Sequence, residues 1–80
     1  MQTNNEKLFL KNLGANIRAI RLSKKMTQLD LAVAMDNYAE QIGRIERGIS
    51  DVRITTILRI ANALEVSLEE LLVSDRKSVV

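Results

Sequence analysis

The 80-residue chain has no cysteine, no histidine, no proline and no tryptophan, and only three glycines, one tyrosine and one phenylalanine. Without cysteine there is no disulfide, no thiol nucleophile and no thiolate for a structural zinc. Without histidine the commonest general base and the commonest metal ligand are gone too. No glycine-rich phosphate loop and no convergent carboxylate pair stands in their place. Neither catalysis nor a metal or cofactor site is expected. Long apolar runs are also missing. LAVAM, residues 31–35, is the longest obvious one and ends at Asp36, whereas crossing a bilayer takes roughly 20 residues. The opening MQTNNEK is polar and lacks the apolar region of a signal peptide. A cytoplasmic protein without membrane contact is expected.

What is present fits one small domain over 1–80, with a core from about residue 8 to 73 and frayed ends that include the SDRKSVV tail. At this size folding buries only about 60% of the unfolded chain's surface, so the core is economical or a partner completes it. The apolar fraction of 46% argues against wholesale disorder. The net charge of +2 decides little, but it is unevenly spread. Residues 1–53 carry nine basic side chains against six acidic ones; residues 54–80 carry three against four. The first two-thirds is the candidate face for a polyanion. The plainer alternative is an ordinary solvated surface.

The hydrophobic period is helical throughout. Leu10, Leu13, Ile17 and Ile20 predict a first helix from about Glu6 to Ser23. Thr27 is placed to cap a second, with Asp30 in its first turn and Leu31, Ala32 and Met35 inside. Asp36 and Asn37 break it, since both tolerate left-handed backbone. A third helix is predicted from about Ala39 to Arg47, stopped by Gly48. Ile54, Ile57, Leu58, Ala61 and Leu64 mark a fourth, and Ser67 with Glu70 forms a capping box ahead of a fifth bearing Leu68, Leu71 and Leu72. The fold class is all-α. The tight connection between the second and third helices predicts a steep crossing, the arrangement of a helix-turn-helix.

Residues 39–48, AEQIGRIERG, pose a question of their own. A helical wheel puts Ile42, Ile45 and Glu46 on one side and Glu40, Arg44 and Arg47 on the other, with Gln41 and Gly43 at the border. Glycine inside a helix costs roughly 1 kcal/mol relative to alanine. Gly43 would let another surface come close, and a buried Glu46 requires a partner.

Here the sequence resembles the phage repressor/Cro-like, or Xre-type, helix-turn-helix family. The resemblance covers about residues 13–72. It rests on LGANIRAIR (Leu13 to Arg21), MTQLDLA (Met26 to Ala32), IGRIERG (Ile42 to Gly48) and ILRIANALEVSLEELL (Ile57 to Leu72), in that order. It implies a five-helix lambda-repressor-like DNA-binding domain with the helix-turn-helix at helices two and three. It also implies a buried structural ion pair between Arg21 and Glu46. The third helix, about residues 39–47, becomes the recognition helix of the major groove. Tyr38, Ala39, Glu40, Gln41, Gly43 and Arg44 then face the bases, while Gln28, Arg47, Ser50 and Arg53 contact phosphates. Arg44 suits guanine and Gln41 suits adenine. Glu40 either accepts from cytosine or holds Arg44 four residues on.

This sequence departs from the family where Asp36 replaces the usual glycine, Asn37 an apolar residue and Tyr38 a small capping hydroxyl, so that Asn37 becomes a candidate cap. Val52 stands where proline is frequent, and Arg53 where a cap often stands. The implied function is a sequence-specific double-stranded DNA-binding regulator, a repressor acting as a homodimer on a near-palindromic operator. Its dimer surface is expected around helix five, Leu71, Leu72, Val73, Val79 and Val80. The alternative is an antitoxin-type or adaptor module that uses the same fold to hold a toxin or co-regulator.

Overall fold

The structure, a computed structural model, describes residues 4–72. The expected fraying of the first residues and of SDRKSVV, and the dimer candidates Val73, Val79 and Val80, lie outside the described residues. Five helices follow one another: α1 (Asn4–Ser23), α2 (Gln28–Ala34), α3 (Ala39–Glu46), α4 (Ile54–Leu64) and α5 (Leu68–Leu72). No strand occurs among the described residues. The all-α, five-helix expectation holds, with α1 starting two residues earlier than its periodicity suggested.

One contiguous core joins Leu13, Ile17 and Ile20 of α1, Leu31 and Ala32 of α2, Ile42 and Ile45 of α3, Ile57, Ile60, Ala61 and Leu64 of α4, and Leu71 of α5. The stripe read for α4 needs correcting. Ile54 and Leu58 are exposed, and Ile60, fully buried, takes the inner position. Leu71 belongs to this chain's own core, so it is unavailable to a dimer contact; Leu72 remains exposed. Asn16 ties the last helix down, donating from Nδ2 to the Leu71 carbonyl at 2.9 Å while buried in the α1 stripe. Such a polar group is tolerated inside only because it is bonded.

The helix ends repeat one solution. After α1, Lys25 N–H bonds to the Leu22 carbonyl and Met26 N–H to that of Arg21. The same two bonds close α2 (Asp36 to Val33, Asn37 to Ala32), α3 (Gly48 to Ile45, Ile49 to Arg44) and α4 (Glu65 to Asn62, Val66 to Ala61). These are Schellman closures, which satisfy the orphan carbonyls and require one left-handed residue each. Lys25, Asp36, Gly48 and Glu65 fill that position with φ of 59°, 56°, 72° and 60°.

The helix starts differ. Thr27 caps α2 in a reciprocal box: its hydroxyl accepts from Asp30 N–H at 2.9 Å, and the Asp30 carboxylate accepts from Thr27 N–H at 2.8 Å. Ser67 and Glu70 do the same for α5. Tyr38 occupies the N-cap of α3 without a side-chain bond. Asn37, the alternative cap, instead accepts from the adjacent Tyr38 N–H at 2.7 Å. The start of α3 is therefore unshifted, and the order of outward residues along it stands.

Candidate nucleic-acid interface

The inward side of α3 is fixed by contacts of unusual closeness. A methyl group added at Gly14 of α1 would lie 2.4 Å from the Ile45 carbonyl oxygen and 2.5 Å from that of Glu46. The two helices thus meet backbone to backbone, which only glycine permits at that position. Just past the same end of α3, Gly48 also approaches α1, with Lys11 Cα 2.8 Å from the position of an added methyl. At the same end of α3 Arg21 grips Glu46 with two bonds, Nε to Oε2 at 2.6 Å and Nη2 to Oε1 at 3.1 Å. Its remaining nitrogen, Nη1, donates to the Met26 carbonyl at 2.6 Å. Both residues are buried, as the resemblance implied. The bidentate geometry satisfies charges that would otherwise be costly inside.

With its inner face so held, α3 turns Glu40 and Arg44 to solvent. They stand four residues apart yet form no ion pair among the described residues, so both heads can meet another molecule. Tyr38 is 79% exposed at the start of the helix. Tyr38 and Gln41 share a groove of about 370 Å³ with Asp51, Val52 and Arg53, which draws the post-α3 loop to the N-terminal end of α3. Ala39 sits differently: it is half-buried against the core and offers little of its methyl group.

The four residues expected on phosphates also divide. Arg47 and Arg53 are exposed and carry no hydrogen bond or ion pair among the described residues. Ser50 is half-buried and its hydroxyl donates to the Asp51 carbonyl at 3.2 Å, so reaching a phosphate requires it to turn. Gln28, first residue of α2, donates from Nε2 to Glu46 Oε1 at 3.1 Å.

Gly43 is buried rather than open. An added methyl there would touch Arg47 Nη1 and Gln28 Oε1, each at 3.4 Å. Its outer side is therefore covered by these two side chains, which the helical wheel could not reveal. Sequence reasoning also missed Gly14 and Asn16. Their only signal was a small and a polar residue next to the apolar stripe of α1.

The fold and the sequence agree with known proteins. The helix-turn-helix family pattern matches residues 17–71. The control protein C.BamHI of Bacillus amyloliquefaciens is 41% identical over 71 residues, 88% of this chain and 84% of that protein. Among solved structures, the restriction-modification controller protein C.AhdI of Aeromonas hydrophila has a TM-score of 0.76 at 32% identity, covering 78% of this chain and 94% of its own. The restriction-modification controller C.Esp1396I, seen as a tetramer with its natural 35 base-pair operator, has a TM-score of 0.70 at 33% identity, covering 81% of this chain and 96% of its own. With α2 and α3 as the two helices of the motif, this chain belongs to the helix-turn-helix family.

Proposed function

We infer that this protein is a sequence-specific double-stranded DNA-binding transcriptional regulator that reads its operator with the outward face of α3. One observation carries the reading: α3 is clamped to the scaffold by Gly14, Gly48 and the Arg21–Glu46 pair, while Glu40 and Arg44 point away from it, unpaired among the described residues. A helix held so rigidly on one side and left free on the other suits insertion into a major groove. The likeness to C.Esp1396I, whose structure holds operator DNA, supports it.

In this reading Arg44 pairs with guanine O6 and N7, and Gln41 with adenine N6 and N7. Each good pair contributes about 1–3 kcal/mol of discrimination. Tyr38 and Glu40 line the same surface, with Glu40 accepting from cytosine N4, whereas Ala39 is half-buried at its edge and Gly43 lies beneath Gln28 and Arg47. Arg47, Arg53, Gln28 and Ser50 hold the backbone. One domain of this size covers roughly 600–1,000 Å², so two copies reading half-sites one turn apart supply the affinity. The role is that of a cytoplasmic homodimer without catalytic activity. No helix among the described residues is long and apolar enough to cross a membrane.

Selection of bound duplexes from a random pool tests the reading. An enriched, two-fold symmetric site is expected, with affinity falling steeply as salt rises. Arg44→Ala should relax preference at one base position of each half-site. If no duplex is enriched, the protein-interaction module becomes the better account.

A further inference from the structure

Gln28 opens α2 while Glu46 and Arg47 end α3, yet their side chains gather around the backbone of Gly43. Glu46 Oε1 accepts both from Arg21 Nη2 and from Gln28 Nε2, each at 3.1 Å. A carboxylate has no hydrogen to donate, so the Gln28 amide cannot flip without setting its oxygen against a negative oxygen. Its orientation is therefore set, with nitrogen inward and Oε1 outward. That oxygen and Arg47 Nη1 lie at 3.4 Å from the same point, the place where a side chain of Gly43 would begin. Any larger residue at 43 would begin in contact with both and press on them.

We propose that Gln28 and Arg47 form one coupled backbone clamp that closes over Gly43, with Gln28 as a positioning residue anchored on Glu46. The proposal rests on the DNA-binding reading of this face and adds an internal linkage to it. Phosphate oxygens only accept, so the groups that touch them must be donors. Arg47 supplies a planar fork of N–H groups, and Gln28 keeps one Nε2 hydrogen that Glu46 does not use. Among the described residues neither the Gln28 oxygen nor the Arg47 guanidinium has a partner; with the fork drawn onto a phosphate, the part of that oxygen is to accept from Arg47 and hold the fork in one plane. The buried ion pair then does more than fasten α1 to α3, because it sets the attitude of a surface arginine two side chains away. Gly43 is kept glycine for the sake of its neighbours.

A double-mutant cycle on duplex affinity tests this, using the full chain, the selected operator and a random-sequence duplex at fixed salt. Gln28→Ala should weaken binding about tenfold when Arg47 is present and only about threefold, the share of its own Nε2 contact, in the Arg47→Lys background, which keeps the charge and loses the fork. Thermal melts of the same proteins provide the contrast: a purely structural Gln28 would lower stability equally in both backgrounds and affinity equally as well. Gly43→Val, which presses on the pair without removing either member, should reproduce the loss of affinity for both duplexes and remain folded. Equal affinity losses in the two Arg47 backgrounds, with binding otherwise intact, overturn the clamp and leave the regulator reading untouched. Absence of duplex binding by the wild type removes both.

Discussion

Arg21 and Glu46, 25 positions apart, form a two-bond ion pair inside the molecule, and the carboxylate also holds Gln28. Burial makes such a pair expensive to break and less valuable to possess. Removing one partner strands the other charge at a cost of about 3–5 kcal/mol, while replacing both by apolar groups of similar volume is often close to neutral. Arg21→Met or Glu46→Leu alone should therefore unfold at much lower denaturant than the wild type, and the two together should recover most of the loss. Urea melts of the four proteins check this. A double variant as unstable as the worse single one would contradict it.

The Schellman closures give a second expectation. Glu65 sits in the left-handed region at φ 60°, and its carboxylate lies at the negative end of the α4 dipole. Both features are unfavourable for glutamate. Glu65→Gly should raise stability by about 0.5–1 kcal/mol, despite glycine's greater freedom when unfolded. Lys25→Gly should give less, since a cation at a helix C-terminus is favourable there, and Asp36→Gly least, because aspartate tolerates this conformation. The order Glu65, Lys25, Asp36 in thermal midpoints is the check.

Acid should weaken the start of α2. The Thr27 backbone N–H, and after it the Thr27 hydroxyl, hold the Asp30 carboxyl below the usual carboxylate range, with desolvation acting weakly against them. A depressed folded-state value means the charged form favours folding. The contribution is complete above the unfolded value of 3.8 and disappears as pH falls through the lower folded one. The stability gap between wild type and Asp30→Asn should be constant above about pH 5 and narrow below about pH 4. A gap unchanged down to about pH 3 would mean the box does not form in solution.

How far the sequence announces these features depends on their range. Helix number, the Thr27 and Ser67 caps and the inward Ile42–Ile45 stripe are local patterns, and all are present. The Arg21–Glu46 pair was accessible only through family resemblance, because nothing local links two residues 25 apart. Ile54 and Leu58 misled, since the α4 wheel is apolar on more than one side and only packing against α1, α2 and α5 selects Ile57, Ile60 and Leu64. The link from Gln28 to Glu46 was invisible for the same reason as Gly14. Each depends on where a second helix passes. Glu40, Arg44 and Arg47 were readable as outward by period alone and Tyr38 only through the family resemblance, whereas the cover over Gly43 depends on where Gln28 of another helix passes.

The two helical glycines make the sharpest contrast, because the same substitution should act in opposite directions. Both Gly14 and Gly43 are buried, and both interrupt helices that alanine would favour by roughly 1 kcal/mol. At Gly14 the new methyl would meet carbonyl oxygens of α3 at 2.4 and 2.5 Å, and backbone cannot turn aside as a side chain can. The helices must part, opening the core around Ile45 and pulling on the Arg21–Glu46 pair. Such overpacking typically costs about 1–3 kcal/mol, which exceeds the propensity gain. At Gly43 the methyl meets only the far ends of Gln28 and Arg47 at 3.4 Å, an ordinary contact distance. There the propensity term prevails, and Gly43→Ala should raise the thermal midpoint while Gly14→Ala lowers it. Differential scanning calorimetry of both variants decides the matter. A fall in stability for Gly43→Ala would show that the space between Gln28 and Arg47 is filled in solution, and a neutral Gly14→Ala would show that α1 and α3 are not in backbone contact.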